Sequence, residues 1–353
     1  MPSGSSSVQR DHRDLSIVIP TMGRPDSLRR TINLLTDERC AAHAELLIVD
    51  NAPTPSLQFA DVDSRTDFPV RLLHEPRAGK AFAADCGVDA AHGELIAILD
   101  DDMSPAPGWI DAVVGAAQRR PDADIFAGRS HIIWPDGIDA PAWASDPLAR
   151  GIAFSVIDPG PDADREMGNG IIEVPSGNHF WFRRLVRDHV PSFPRVWAPE
   201  ADFVIAARLH GHRGIFVPDV VCGHRIQARL IDDAVLLKRA RAFGHVKSRL
   251  DRLRTEIAGT EPSRLRSMLA RVKHAATWIG ARATMPKAEH ARTTDAINDA
   301  VRAMVRLGRV EERLFGHRIT WCPRFGESVM DASEPSDPAD MPDPDRPSAI
   351  VRS

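Results

Sequence analysis

The sequence predicts an α/β protein: a mainly parallel sheet with helices on both faces, followed by a C-terminal helical extension. Three observations predict it. Short apolar runs alternate with segments of helical period through the first third of the chain, the pattern of βαβ units. From about residue 231 the strand pattern stops, and Ala- and Arg-rich helix formers follow. One apolar run, Glu94-Leu95-Ile96-Ala97-Ile98-Leu99, closes in Asp100-Asp101-Asp102. In open α/β sheets ligands bind beyond the carboxyl ends of the strands, which is where such a cluster of charge can be used.

The elements follow in order. Leu15-Ser16-Ile17-Val18-Ile19-Pro20 reads as a buried strand stopped by Pro20. Asp26 to Leu35 reads as a helix with Pro25 near its start. Glu45 to Val49, Val70 to His74 and Glu94 to Leu99 read as further strands, with helices at Lys80 to Ala91 and Trp109 to Arg119. Right-handed crossovers place Pro20, Asp50 and Asp100 along one rim. Ile125 to Trp134 is strand-like, and 135–170, rich in Pro, Gly and Asp, reads as a long mobile loop. Ile171 to Pro175 and Gly214 to Val217 look like strands, and Asp202 to Leu209 looks helical. Residues 1–13 are Ser-rich and polar, and 331–347 hold six acidic residues and five prolines, so both ends are expected to be disordered. The expected divisions are a disordered 1–13, an α/β domain over 14–230, a helical extension over 231–325 and a disordered acidic, Pro-rich tail over 326–353.

Composition narrows the function. The 353 residues are 43% hydrophobic with a net charge of -4, enough for a real core and without the global charge of a polyanion binder. The four cysteines, Cys40, Cys86, Cys222 and Cys322, form no CxxC, so neither a zinc knuckle nor a disulfide framework is indicated. With no early apolar segment and no apolar run of membrane-spanning length, the expected location is cytoplasmic. GxGxxG, GxxxxGK[ST], GxSxG and HExxH are all absent, which argues against a dinucleotide oxidoreductase, a P-loop NTPase, a serine hydrolase and a zincin. Between Lys238 and Arg282 there are twelve Lys/Arg against three acidic residues. That run suggests peripheral contact with an anionic membrane at its inner face, set against the plainer reading of a solvated helical face. Its two aromatics, Phe243 and Trp278, are too few to stack on bases, so no nucleic-acid partner is expected.

The candidate chemistry lies in a few clusters. Three adjacent carboxylates repel unless a cation intervenes, and an all-oxygen site suits Mg²⁺ or Mn²⁺ completed by substrate phosphates. Thr21, Gly23 and Arg24 follow Pro20 at the first strand end, in a turn that brings Arg24 to the rim. Asp50 can accept an N–H from a base, although read alone it is more simply an Asx-turn residue. Arg77-Ala78-Gly79-Lys80 opens a helix with two cations, a plausible phosphate-facing loop. Glu200 and Asp202 open another helix, where acidic residues also serve as ordinary caps. Cys222-Gly223-His224 closes the constellation, and His224 alone is more often structural.

Taken together in this order, these residues resemble a family 2 glycosyltransferase of GT-A fold over roughly 14–250. The opening strand through Thr21, Val49-Asp50-Asn51, Leu99-Asp100-Asp101-Asp102 with Pro105 and Trp109, Ser176 to Arg184, and Phe216 to His224 carry the resemblance. It implies a metal-dependent, inverting, bacterial-type enzyme moving one sugar from a nucleoside diphosphate sugar, with UDP-sugar the expected donor, to the hydroxyl of a glycan, lipid-linked or small-molecule acceptor. The implied cofactor is Mg²⁺ or Mn²⁺. Asp102 is the implied metal ligand, with Asp100 and His224 as further ligands. Pro20, Thr21, Arg24, Asp50, Lys80, Asp100 and Asp101 are implied to hold the nucleotide sugar. The family's Glu-Asp pair is altered here: Arg208 lies six residues after Asp202, so Asp202 takes the Asp position as the catalytic base, with Ala201 in place of Glu and Glu200 as the alternate base. The QxxRW of polymerising members is absent, so single-sugar transfer is expected. Two other readings stay open: a sugar-1-phosphate nucleotidyltransferase, and a non-catalytic sugar-nucleotide-binding protein on a decayed scaffold, for which Ala201 is the only pointer.

Overall fold

The computed structural model describes residues 14–35, 43–58, 68–156, 158, 160, 164–167, 179–194, 198–257 and 294–315. The expectations for 1–13, 171–175 and 326–353 lie outside these residues, as do 258–293 and 316–325 of the helical extension. Among the described residues nine strands form one sheet. Strands β1 (Leu15–Thr21), β2 (Ala44–Asp50), β3 (Val70–His74) and β4 (Leu95–Leu99) run parallel in the order β3-β2-β1-β4. Helices α1 (Pro25–Asn33) and α2 (Lys80–Ala90) make the crossovers after β1 and β3.

The second half of the sheet is mixed. β8 (His179–Arg183) is antiparallel to β4, and β6 (Ile125–Ile133) is antiparallel to β8. β9 (Gly214–Arg225) runs parallel to β6, while β5 (Met103–Pro105) and β7 (Arg165–Glu166) pair with it antiparallel. The remaining helices are α3 (Trp109–Arg119), α4 (Pro147–Phe154), α5 (Pro199–Leu209), α6 (Asp233–Ile257) and α7 (Thr294–Phe315).

The apolar runs of β1 and β2 are continuous because both faces of the sheet are covered. Leu15, Ile17 and Ile19 of β1 join one core with Leu28 and Ile32 of α1 and Trp109 and Val113 of α3. Val18 joins the opposite core, with Ala84 and Val88 of α2, Phe203 of α5, Leu236 of α6 and Val301 of α7. The helical extension is thus part of the second core.

The described residues of 135–170 are not the one long loop expected from their composition but include α4 and β7. Asp146 caps α4, its Oδ1 accepting from the N–H groups of Leu148 and Ala149 at 2.9 and 3.0 Å, and Pro147 occupies the first helical position. The Asp and Pro that suggested a loop are therefore a start signal. The basic run is not an open cationic face where α6 carries it. Arg239 donates to the Ile152 carbonyl, Arg241 and Arg252 pair with Glu311 and Glu312 of α7, and Arg249 pairs with Asp202. No helix among the described residues is long and apolar enough to cross a membrane.

α6 and α7 cross at a pair of glycines. A Cβ on Gly308 would overlap the Arg241 carbonyl, and one on Gly244 would overlap the Val305 carbonyl. Gly308→Leu is expected to destabilise the protein by about 1–3 kcal/mol through overpacking. The exposed Asp299→Ala in the same helix should be near neutral. Chemical denaturation of the two variants checks this.

Candidate active site

The turn Asp100-Asp101-Asp102 leaves β4 with its backbone held from two sides. From α1, Ser27 Oγ and Thr31 Oγ1 donate to the Asp101 carbonyl at 2.9 and 2.8 Å. From the end of β9, Arg225 donates to the carbonyls of Met103 and Asp101 at 2.6 and 3.2 Å, and its backbone N–H reaches the Asp102 carbonyl at 2.9 Å. With the main chain so fixed, the three carboxylates have separate partners.

Asp101 is fully buried. Its Oδ2 accepts from Thr21 Oγ1 at 2.5 Å and from Arg24 Nε at 3.1 Å, and its Oδ1 pairs with Arg24 Nη2. It anchors the rim to β1 through Thr21 and Arg24. Arg24 continues to Asp102 Oδ2 at 2.9 Å. Lys80, the first residue of α2, bridges Asp100 Oδ1 at 2.5 Å and Glu200 Oε1 at 2.7 Å. Pro20 is buried within β1 opposite Val49.

His224, one residue before the end of β9, donates from Nδ1 to the Phe154 carbonyl at 2.8 Å. A carbonyl only accepts, so Nδ1 carries a proton and the neutral ring keeps its lone pair on Nε2. That nitrogen lies 3.6 Å from Asp102 Oδ1, an oxygen with no hydrogen-bond partner. A carboxylate oxygen and an imidazole nitrogen facing each other in this way suit a divalent cation, with the carbonyl fixing the ring behind it. Asp100, the other predicted ligand, turns to Lys80 instead, and no group of three or more His, Cys, Asp or Glu among the described residues is gathered to hold a metal. The ionic pattern still favours a cation: among the described residues, the Lys and Arg side chains in ion pairs with Asp100, Asp101, Asp102 and Glu200 are Arg24 and Lys80.

Glu200 and Asp202 lie two residues apart at the start of α5 and therefore diverge around the helix. Glu200, 3% exposed, turns to Lys80 and the acidic turn. Asp202 turns to the extension, where Arg249 of α6 grips Oδ1 at 2.8 Å and Oδ2 at 2.6 Å in a two-pronged pair. Ala201 between them is 1% exposed in the core, so packing alone explains a small apolar residue there. Among the described residues, two non-glycine residues adopt left-handed backbone, and both border the site: Ser155 (φ 51°), just after the Phe154 that holds His224, and Ala198 (φ 55°), just before α5.

Asp50 uses both carboxylate oxygens to organise the loop after β2. Oδ1 accepts from Ala52 N–H and Ser56 Oγ at 3.1 and 2.9 Å, and Oδ2 from the N–H groups of Ser56 and Leu57 at 2.5 and 3.0 Å. Its neighbour Asn51, named in the sequence only as part of Val49-Asp50-Asn51 and given no role there, donates to the carbonyls of Glu75 and Arg77 at 2.7 and 2.8 Å and accepts from Gly79 N–H at 3.0 Å. It thereby shapes the turn that delivers Lys80, where Gly79 has φ 127°. Arg225 and Arg249 were also missed. No local pattern marks either, because each partner is distant in sequence. His179 of β8, beside Leu99 in register, accepts from Trp109 Nε1 at 2.8 Å, and burial pushes its pKa down to about 3, so the ring is neutral.

Burial raises Asp100 to about 6 and Asp101 to about 7, against the pull of Lys80 and Arg24. Burial opposes charge on Asp102 as well, but with Nε2 of His224 protonated and no cation between them, that ring and Arg24 outweigh burial and hold this carboxyl well below the usual range. The raised pair gives the sign of a pH effect: above pH 4 the unfolded chain loses these protons while the fold retains them, so stability falls as pH rises from about 4 through 7. Asp101→Asn is expected to lower Tm at pH 5 yet to flatten the decline between pH 5 and 7.5. Thermal melts without metal across that range check this.

Residues 16–189 match the profile of glycosyl transferase family 2. The pre-mycofactocin glycosyltransferase of Mycobacterium tuberculosis is 31% identical over 116 residues, which is 32% of this chain and 22% of that protein. The O-antigen biosynthesis protein RfbC of Myxococcus xanthus is 30% identical over 125 residues, 35% of this chain and 10% of that protein. The chain therefore matches a minor part of the length of these relatives. A solved structure, the mannosyltransferase PcManGT from Pyrobaculum calidifontis in complex with GDP-Man and Mn²⁺, overlaps 86% of this chain and 88% of its own at 15% identity and a TM-score of 0.49. The family match takes in Thr21, Arg24, Lys80 and the acidic turn. Over residues 16–189, just under half of its length, the chain matches glycosyl transferase family 2.

Proposed function

We propose that the protein transfers a single sugar from a nucleoside diphosphate sugar to an acceptor hydroxyl, with a divalent cation, Mg²⁺ or Mn²⁺, and with inversion at the anomeric carbon. The observation that carries this reading is the excess of buried carboxylate at the rim, with Asp102 Oδ1 facing His224 Nε2 across 3.6 Å. Four carboxylates beside two cations are not assembled for stability. They suit a cation that arrives with a diphosphate.

Asp102 and His224 would hold that cation, which would supply Lewis-acid stabilisation to the leaving diphosphate. Arg24, 23% exposed, and Lys80, 17% exposed, are the cations at the rim able to turn toward the diphosphate as its charge grows. An acceptor hydroxyl is a weak nucleophile and needs a carboxylate to take its proton as the bond forms. Glu200 is the better placed of the two candidates, because it lies on the side of α5 that meets Lys80 and Asp100. Asp202 has both oxygens engaged by Arg249 and serves to dock α6. A single displacement by this route inverts the sugar. Asp50 acts through the loop it organises, on which the base of the donor would lie, with UDP the expected nucleotide. Ala201, being a core residue, gives no support to a decayed scaffold.

Thermal stabilisation by UDP, GDP, dTDP and CMP, each with and without Mn²⁺ or Mg²⁺, tests the reading through binding to the folded state. A metal-dependent shift with one diphosphate that disappears in Asp102→Ala is expected. No shift with any nucleotide rejects it, and release of pyrophosphate instead of nucleoside diphosphate during turnover would favour a nucleotidyltransferase.

Within that frame, Glu200→Gln is expected to lower turnover by about 10²–10⁴-fold while nucleotide binding persists. Asp202→Asn should lower Tm and retain more turnover than Glu200→Gln. The reverse order of activities would return the base to Asp202.

A further inference from the structure

A cavity of about 500 Å³ opens beside the candidate site, between β6 and the segment that carries α4. Its position is fixed by the sheet. Ser130 and Ile132 line it, and they are in register with Cys222 and His224 of β9. Val156, also on its wall, follows the Phe154 whose carbonyl holds His224 by two residues. The volume is in the range of small-molecule sites.

Two side chains give the cavity a chemical character. Arg150, from α4, lines it with Nε buried and without a hydrogen-bond partner, and its guanidinium forms no ion pair among the described residues. The carboxylate on the same wall, Asp158, faces Arg129 at 3.8 Å instead. A partly buried guanidinium has lost hydration and gained no counter-charge, which costs free energy unless an anion completes it; its fork suits a phosphate or carboxylate. Trp134 supplies the second feature. Its indole stands edge-on to Phe154, with ring centroids 5.5 Å apart and planes at 84°. Held in this way it offers a rigid aromatic face of the kind on which the C–H face of a pyranose packs.

We infer that this cavity is the acceptor subsite and that the acceptor carries an oxyanion, a phosphate or a carboxylate, close to the hydroxyl that receives the sugar. The inference rests on the transfer reading above and extends it to the substrate class. Arg150 binds the anion and Trp134 packs on the ring, which brings the acceptor hydroxyl toward the edge formed by His224 and the acidic turn.

Calorimetric titration of the full chain with a hexose 6-phosphate, a hexuronate and the parent hexose tests it. Parallel sedimentation with phosphatidylinositol or phosphatidylcholine vesicles separates a free sugar acid from a lipid headgroup. An anionic probe is expected to bind at least tenfold more tightly than its neutral counterpart. Arg150→Met should remove that preference and Arg150→Lys should restore part of it. Binding of nucleoside diphosphate with Mn²⁺ should be the same in Arg150→Met as in the parent, which also shows that the variant folds. Equal binding of neutral and anionic probes, unchanged affinity in Arg150→Met, displacement of the anion by nucleoside diphosphate alone, or no binding in any arm overturns the inference. Because the titration needs no donor, failure of the transfer reading shows separately, as absence of nucleotide binding.

Discussion

Three carboxylates in a row at the end of a buried strand repel one another and resist desolvation, and the elements around β4 are arranged to answer that. α1 follows β1 so closely that Arg24 reaches two of the three. α2 starts with Lys80 facing the third. β9 ends with His224 and Arg225, one beside the Asp102 carboxylate and the other on the backbone of the turn. These contacts join residues from opposite ends of the sheet to a single turn, so the order of the strands and the position of the site are one problem. The compensation is incomplete: the ion pairs at the turn set Asp100, Asp101, Asp102 and Glu200 against Arg24 and Lys80.

Much of the first half was legible because its strands are buried on both faces and read as unbroken apolar runs between turn residues. Leu15 to Pro20 and Glu94 to Leu99 are such runs, and both strands formed as expected. β5 is three residues long, too short for any periodicity, and takes its form from pairing with β9. α4 was hidden by composition: Asp146, Pro147 and Gly151 suggest a loop until it is seen that the first two start a helix. Local sequence named Thr21, Arg24, Lys80, the acidic turn, Glu200 and His224, and the fold brings these residues together. It could not divide labour between Glu200 and Asp202, because what separates them is Arg249, 47 residues further on.

The same limit explains the basic run. Lys and Arg at helical spacing look like a cationic surface when their partners cannot be seen. Glu311 and Glu312, 2% and 3% exposed, are those partners, and they lie 60 to 70 residues away from Arg241 and Arg252. The extension is bound to the α/β half by charge as well as by apolar contact. Asp202 is buried within the α/β half, and its two-pronged cation comes from α6. A division of the chain at residue 230 describes where the sequence pattern changes, while the ion pair makes the two parts mutually dependent, since removing one partner of a buried pair leaves an uncompensated charge.

Ser155 and Ala198 hold a backbone shape that side chains with a Cβ resist, at a cost of order 1–3 kcal/mol each. One presents the carbonyl that fixes the His224 ring, and the other opens the helix that begins with Glu200. Both are hinges wound against their natural rest position. A glycine at either place would ease the tension and also let the arm beyond it swing. With the chain as it is, backbone that resists rotation holds the His224 ring on one side and the start of the helix bearing Glu200 on the other.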